Sequence, residues 1–267
     1  DLKGENLNDI ILHYKDQLLG QSVLERFGHE FPLLIKFIDA KENLSVQLHP
    51  DDSIAKAKHA CMGKTEMWYI LKSDNEGFII ADFNKEINQE TYLKSIKNKN
   101  IKNHLKHLKV NNGDVFFIAP GLIHAIGAGV MLAEIQQTSD ITYRIYDWDR
   151  VDDKGQSREL HQQEALDAID FESKKPKIEY HKTENTLNKV VHNPHFKTDF
   201  LNVCNRVDLD LNHWDSFTIL INVGEDATLS HNQKTYAFKS QETYLIPACI
   251  SNIGIEAQDS DLLIVHI

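Results

Sequence analysis

Leu44-Ser45-Val46-Gln47-Leu48-His49 alternates apolar and polar side chains at every step. The alternation predicts a strand with Leu44, Val46 and Leu48 on one face and Ser45, Gln47 and His49 on the other. Residues two apart on a strand point the same way, so the amide of Gln47 and the imidazole of His49 share a face. If that face lines a barrel interior, the pair needs a partner, because an unsatisfied buried polar group costs about 1–3 kcal/mol.

Short apolar runs surround this stretch. Upstream, Leu33 to Ala40 follows Pro32 and reads as a largely buried strand. Downstream, Met67–Leu71 and Phe78–Phe83 are joined by the turn-forming Ser73-Asp74-Asn75-Glu76-Gly77. Strands are predicted again at Asp114–Ile118, Gly129–Gln136 and Thr142–Tyr146, and later at Lys197–Val203, Ser216–Val223, Glu242–Ile246 and Asp261–Ile267. Helical spacing is confined to short pieces. Leu7, Ile10, Ile11, Tyr14 and Leu18 predict one helix, capped by Asn6 or Asn8 and closed at Gly20. Ser22–Phe27 predicts a second, residues 86–108 a helical excursion, and Glu159–Ile169 a helix capped by Ser157. The polar stretch from Lys174 to Pro194 reads as a connection between two lobes, with edge strands allowed within it. Many short strands with turns between them fit a mainly β protein, each lobe a sandwich or jelly roll with short helical insertions.

The totals narrow the function classes. Lys and Arg number 29 against 40 Asp and Glu, a net charge of -11, which disfavours a nucleic-acid partner or an anionic membrane surface. No apolar run approaches the roughly 20 residues needed to span a bilayer, and no secretory signal is visible in the opening residues. Cys61, Cys204 and Cys249 are scattered, so neither a disulfide framework nor a CxxC clip is expected, and a reducing cytoplasm is the simplest location.

Two further residues join the Gln47/His49 pair. Glu66 stands at the mouth of an apolar run in Gly63-Lys64-Thr65-Glu66-Met67-Trp68, and His124 follows the turn Pro120-Gly121. One carboxylate, two imidazoles and an amide oxygen can hold a divalent cation and leave a position open. Zinc suits that set, with nickel, cobalt, manganese and iron also compatible by ligand type. Among 14 histidines, a QxH on a strand or a PGxxH turn taken alone is more often structural. The residues by themselves lead to a metal-binding β-barrel.

As strings the segments are more distinctive. Phe31 through Ala40, Leu44 through Asp52, Gly63 through Tyr69, Gly113 through Ile118, Pro120 through Gly127, and the run from Ala133 through Arg150 occur in order. Together they resemble the type I mannose-6-phosphate isomerases in their short bacterial form, members of the cupin superfamily. The resemblance covers most of residues 1–172 and weakens beyond. It implies two cupin-like jelly-roll barrels: a metal-binding catalytic lobe over 1–172 and a second, metal-free lobe over 173–267. It implies one zinc ion per chain on Gln47, His49, Glu66 and His124, and reversible conversion of mannose 6-phosphate to fructose 6-phosphate. Members of the family carry a further strand-rich segment with an early Trp motif that is not found here. On that reading the chain is a truncated product, or its first barrel lacks a layer and has open edges. In the second lobe, Ser240-Gln241-Glu242 stands where the family tends to have a Gly-containing turn.

Aldose–ketose isomerisation moves a proton between neighbouring carbons through a cis-enediol and needs a side-chain base. Glu134, which the resemblance aligns with an active-site carboxylate, is the first candidate, and Lys64 the alternative base or shuttle. Arg144 is the candidate for holding developing charge on the enediolate or the substrate's phosphate, because its planar fork binds oxyanions bidentately. Ser45 and Lys64 are candidates for the phosphate. Against these stand plainer readings: Glu134 as an ion-pair partner of Arg144, Lys64 as a solvated residue, Trp68 and Trp148 as packing, and Asp147, Asp149 and Arg150 as a self-satisfied surface network. The expected partner is a small sugar phosphate, with the oligomeric state unspecified. The rival functions are a catalytically silent cupin that binds a sugar phosphate or metal, and a metal-dependent oxygenase on the same barrel.

Overall fold

Asn6 starts the first helix, its side-chain oxygen accepting from the Asp9 amide at 2.9 Å and satisfying one of the free donors of the first turn. The computed structural model describes residues 2–172 and 174–267; Asp1, and Ser173 at the expected lobe boundary, lie outside the described residues. The single helix expected up to Gly20 is two, α1 (Leu7–Tyr14) and α2 (Asp16–Leu19), because Lys15 takes a positive φ of 48° between them. The next helix, α3 (Gln21–Phe27), has Gly20 ahead of it and no cap from its own sequence. Asp215 supplies one from far along the chain, accepting from the amides of Gln21 at 2.7 Å and Ser22 at 2.8 Å.

That contact corrects the expected domain boundary. The chain forms two compact units, one of Leu33–Ile178 and one that joins Asp1–Pro32 to Glu179–Ile267. Residues 1–32 therefore pack with the second lobe and not the first. Backbone bonds from Phe217 to Leu19 O at 3.0 Å and from Ala248 to Leu18 O at 2.9 Å hold the α2 end there.

The unit Leu33–Ile178 carries β1 (Leu33–Ala40), β2 (Val46–Leu48), α4 (Asp52–His59), β3 (Glu66–Ser73) and β4 (Phe78–Phe83). Then come α5 (Gln89–Lys97), β5 (Leu105–Lys109), β6 (Val115–Ile118), β7 (His124–Ile126), β8 (Val130–Gln137), β9 (Tyr143–Tyr146), α6 (Gln162–Ala168) and β10 (Lys177–Ile178). The strands form two antiparallel sheets, β1-β8-β3-β6-β10 and β5-β4-β7-β2-β9. Trp68, Ile70, Phe116 and Leu132 of the first sheet pack in one buried cluster with Ile79, Ala81 and Ile126 of the second, so the sheets face each other across an apolar core.

Three local expectations change. α4 has few apolar side chains and so no helical stripe to read, yet Asp51 caps it by accepting from Ile54 at 2.8 Å. The helical excursion ends in a strand, β5, because Leu105–Lys109 pairs with β4. α6 begins at Gln162 without a side-chain cap, and Ser157 is not its cap. The preceding residues instead satisfy the free edge of β9: His161 N donates to Arg144 O at 2.7 Å and Arg144 N to His161 Nδ1 at 3.2 Å.

The other unit adds β11 (Asn188–His192), β12 (Lys197–Asp210), β13 (Thr218–Asn222), β14 (Ala227–His231), β15 (Lys234–Phe238), β16 (Thr243–Ile246) and β17 (Asn252–His266) in one seven-stranded antiparallel sheet. The long pair β12 and β17 shifts register between Val203 and Asn205, and Leu201, Leu220, Leu229, Phe238, Ile255 and Leu262 form its core. Gln241 holds a positive φ of 65°, the conformation that favours glycine in such a turn. All three cysteines are free, and among the described residues no helix is long and apolar enough to cross a membrane.

The loop between α4 and β3 has no room for a side chain at Gly63. A Cβ there meets backbone C of Asp51 and N of Asp52 at 2.5 Å, while the Gly63 amide donates to Asp52 Oδ1 at 2.8 Å. Backbone atoms cannot swing aside. Gly63→Ala is expected to lower unfolding stability by about 1–3 kcal/mol, measured by urea titration; an unchanged midpoint contradicts this packing.

A candidate metal centre between two sheets

Strand register brings the four expected ligands together. Gln47 of β2 lies directly opposite His124 of β7, His49 follows β2 by one residue, and Glu66 opens β3 in the facing sheet. The ligating atoms of His49, Glu66 and His124 all lie within 4.8 Å of one another, and all three residues are buried. His49 Nε2 is 3.6 Å from Glu66 Oε2, and His124 Nε2 is 3.5 Å from Glu66 Oε1.

The imidazoles are oriented from behind. His49 Nδ1 sits 2.8 Å from the Ile141 carbonyl and His124 Nδ1 2.9 Å from the Leu122 carbonyl. A carbonyl can only accept, so each Nδ1 carries the proton and each Nε2 lone pair faces the cluster. Burial holds His49 well below the usual imidazole range, helped by the charge of Lys64, and pushes His124 down to about 4. Both rings are neutral at pH 7. Burial also raises Glu66 to about 7, the charge of Glu134 adding to it and Lys64 opposing it.

Glu66 is the telling group. Neither carboxylate oxygen has a partner with hydrogen-bond geometry, although Lys64 Nζ approaches Oε2 to 3.0 Å. A fully buried carboxylate left so is costly unless a cation completes it. Two lone pairs on neutral nitrogens and a buried carboxylate compensated only in part by Lys64 fit a divalent metal. Gln47 lies beside them with its amide nitrogen 3.5 Å from His124 Nε2 and its oxygen accepting from Ser45 at 3.2 Å.

The other expected residues divide. Glu134 is buried and held by two donors, Lys36 Nζ to Oε1 and Trp68 Nε1 to Oε2, each at 3.0 Å. Its ion pair is with Lys36, so the alternative pairing with Arg144 is not formed. Lys64 is buried, not solvated, and its Nζ lies 3.1 Å from His49 Nε2. Trp68 is more than packing, since it donates to Glu134. Lys36, Ser45, Gln47, Lys64, His124 and Glu134 all line one cavity of 230 Å³. Arg144 does not line it. It sits opposite Gln47 across the β2–β9 pair, with Nη1 donating to the Glu159 carbonyl at 3.0 Å.

Lys36 escaped the sequence reading. The available signal was one charge inside the apolar run Leu33 to Ile38, but only the β1–β8 register, which sets Lys36 against Glu134, reveals its partner.

Two antiparallel sheets that enclose a buried His/Glu/His group able to hold a metal, beside a polar cavity, define a protein of cupin-like β fold with a candidate metal site. A family model for the type I phosphomannose isomerase catalytic domain matches residues 1–105. Mannose-6-phosphate isomerase ManA of Bacillus subtilis is 31% identical over 258 residues, covering 95% of this chain and 79% of that protein. A mannose-6-phosphate isomerase of Streptococcus mutans is 38% identical over 167 residues, 62% of this chain and 51% of that protein. The crystal structure of the mannose 6-phosphate isomerase from Bacillus subtilis superposes with a TM-score of 0.85 at 26% identity, covering 96% of this chain and 81% of that one. This chain belongs to the type I mannose-6-phosphate isomerase family.

The raised Glu66 makes metal binding pH-dependent. Between 4.5 and about 7 the folded carboxyl keeps a proton that the unfolded chain gives up, so its contribution to metal-free stability is present at low pH and fades as pH rises through 7. A metal needs the carboxylate. Binding at pH 7 is therefore expected to release about half a proton, falling toward zero at pH 8.5, with none from the already neutral imidazoles. Calorimetric titration in buffers of different ionisation enthalpy measures this, and pH-independent release of a full proton contradicts it.

Proposed function

We propose that this chain interconverts mannose 6-phosphate and fructose 6-phosphate through a cis-enediol, with one zinc ion held by Gln47, His49, Glu66 and His124. The observation that carries this reading is the buried Glu66 carboxylate that faces two neutral imidazoles, with the Lys64 ammonium its single close cation among the described residues. Gln47 joins through its oxygen after a half-turn of its amide, which leaves the amide nitrogen to donate to Ser45 Oγ. We assign Ser45 to that orienting contact. When bound, the cation supplies polarisation of the substrate carbonyl and stabilises negative charge on its oxygen.

The remaining work falls to side chains. Glu134 takes the proton from one of the two reacting carbons and returns it to the other, and the donors Lys36 and Trp68 hold its two oxygens in place for that transfer. Lys64, in contact with His49 and Glu66, is better suited to moving the proton between the two substrate oxygens than to binding the phosphate. Arg144 holds developing negative charge through its guanidinium fork. The architecture we infer is a cupin-like jelly-roll barrel over Leu33–Ile178 that carries catalysis, and a second, metal-free one over Glu179–Ile267. Three free cysteines support a cytoplasmic location.

Metal analysis together with a coupled isomerase assay tests the assignment. His124→Ala is expected to lose both metal and turnover. Arg144→Ala is expected to keep the metal while kcat falls about 10²–10³-fold, the usual cost of removing a group that stabilises developing charge. Glu134→Gln should keep the metal and lose about 10²–10⁴-fold in rate. Full activity in His124→Ala, or a wild-type protein that binds zinc without turnover, overturns the proposal.

A further inference from the structure

Just beyond β9, Asp147 is buried and takes both ends of one guanidinium. Arg158 Nε donates to Oδ2 at 2.7 Å and Arg158 Nη2 donates to Oδ1, while Arg150 adds a third contact to Oδ1. These arginines hold Asp147 below the usual carboxylate range against the opposing effect of burial. The fork fixes Arg158, and the chain that follows lies along the open edge of β9. There the Glu159 carbonyl accepts from Arg144 Nη1 at 3.0 Å, and His161 exchanges bonds with both backbone groups of Arg144. Arg144 Nε is buried with no hydrogen-bond partner, so among the described residues the Glu159 carbonyl is the contact that orients the guanidinium.

We propose that Asp147 and Arg158 form a clasp that positions Arg144: their fork pins the 158–161 segment, and that segment's Glu159 carbonyl aims the Arg144 guanidinium. Asp147 and Arg158 are positioning residues; neither lines the metal-side cavity. The inference rests on the reading that Arg144 acts on the substrate. It also has an electrostatic side. Asp147 supplies the negative charge between Arg150 and Arg158, and without it the cations that face Arg144 repel one another.

A double-mutant cycle tests the clasp. The Arg158 side chain is 53% exposed, so Arg158→Ala is expected to fold and bind metal as the wild type does. It should lower kcat about tenfold with little change in KM, yet cost less than about twofold in an Arg144→Ala background, because the two act as one unit. Arg158→Lys keeps the charge but not the fork and should not restore kcat. Asp147→Asn, nearly isosteric, should behave as Arg158→Ala does. Effects that multiply independently, or full rescue by Arg158→Lys, overturn the inference. If the wild type shows no turnover, the functional reading has failed, and the arginine Nε–H resonance of Arg144 decides the clasp separately. Loss of that slowly exchanging signal in Arg158→Ala supports the clasp, and an unchanged signal refutes it.

Discussion

Glu66 sits at zero exposure with two imidazole lone pairs 3.5 and 3.6 Å from its oxygens and a lysine ammonium at 3.0 Å. A charge so placed in an apolar interior is unfavourable by several kcal/mol unless something cationic completes it. Its neighbours are arranged around that constraint. The Nδ1 contacts of His49 and His124 turn their lone pairs inward, and the Lys64 ammonium compensates part of the carboxylate charge. Burial keeps the rings neutral, so the group is poised to accept a cation and has little to gain from a proton on either imidazole.

The two sheets serve this centre as a pair of rigid rows. One row, Lys36–Glu134–Trp68, runs across β1, β8 and β3, and the other, Arg144–Gln47–His124, across β9, β2 and β7. Cross-strand neighbours on one face stand about 4.5–5.5 Å apart, so each row fixes the spacing of its polar heads without any flexible loop. The apolar core between the sheets then sets the distance from one row to the other.

Electrostatics are graded along these rows. Close to the candidate ligands, Lys64 is the cation in contact; farther out, Lys36 holds Glu134, and at the edge strand Asp147 gathers Arg150 and Arg158. Glu66, Glu134 and Asp147 thus each have a local cation, consistent with a chain whose overall charge of -11 offers no general pool of positive potential.

Much of this was legible from residue order alone. Strand periodicity gave β1, β2 and β4 close to their true bounds, and the polar face of Ser45-Val46-Gln47-Leu48-His49 marked two of the candidate ligands, because side-chain direction on a strand follows from backbone geometry. What periodicity cannot carry is who stands opposite whom. Lys36 was found only through the β1–β8 register, the helices of residues 1–32 were assigned to the wrong unit because Asp215 caps α3 from almost two hundred positions away, and α4 lacked the apolar stripe that announces a helix. Residue types and their alternation settled the kind of chemistry this protein can support. Tertiary pairing alone decided which charges meet, since an ion pair or a cap depends on distance in space, and distance along the chain says little about it.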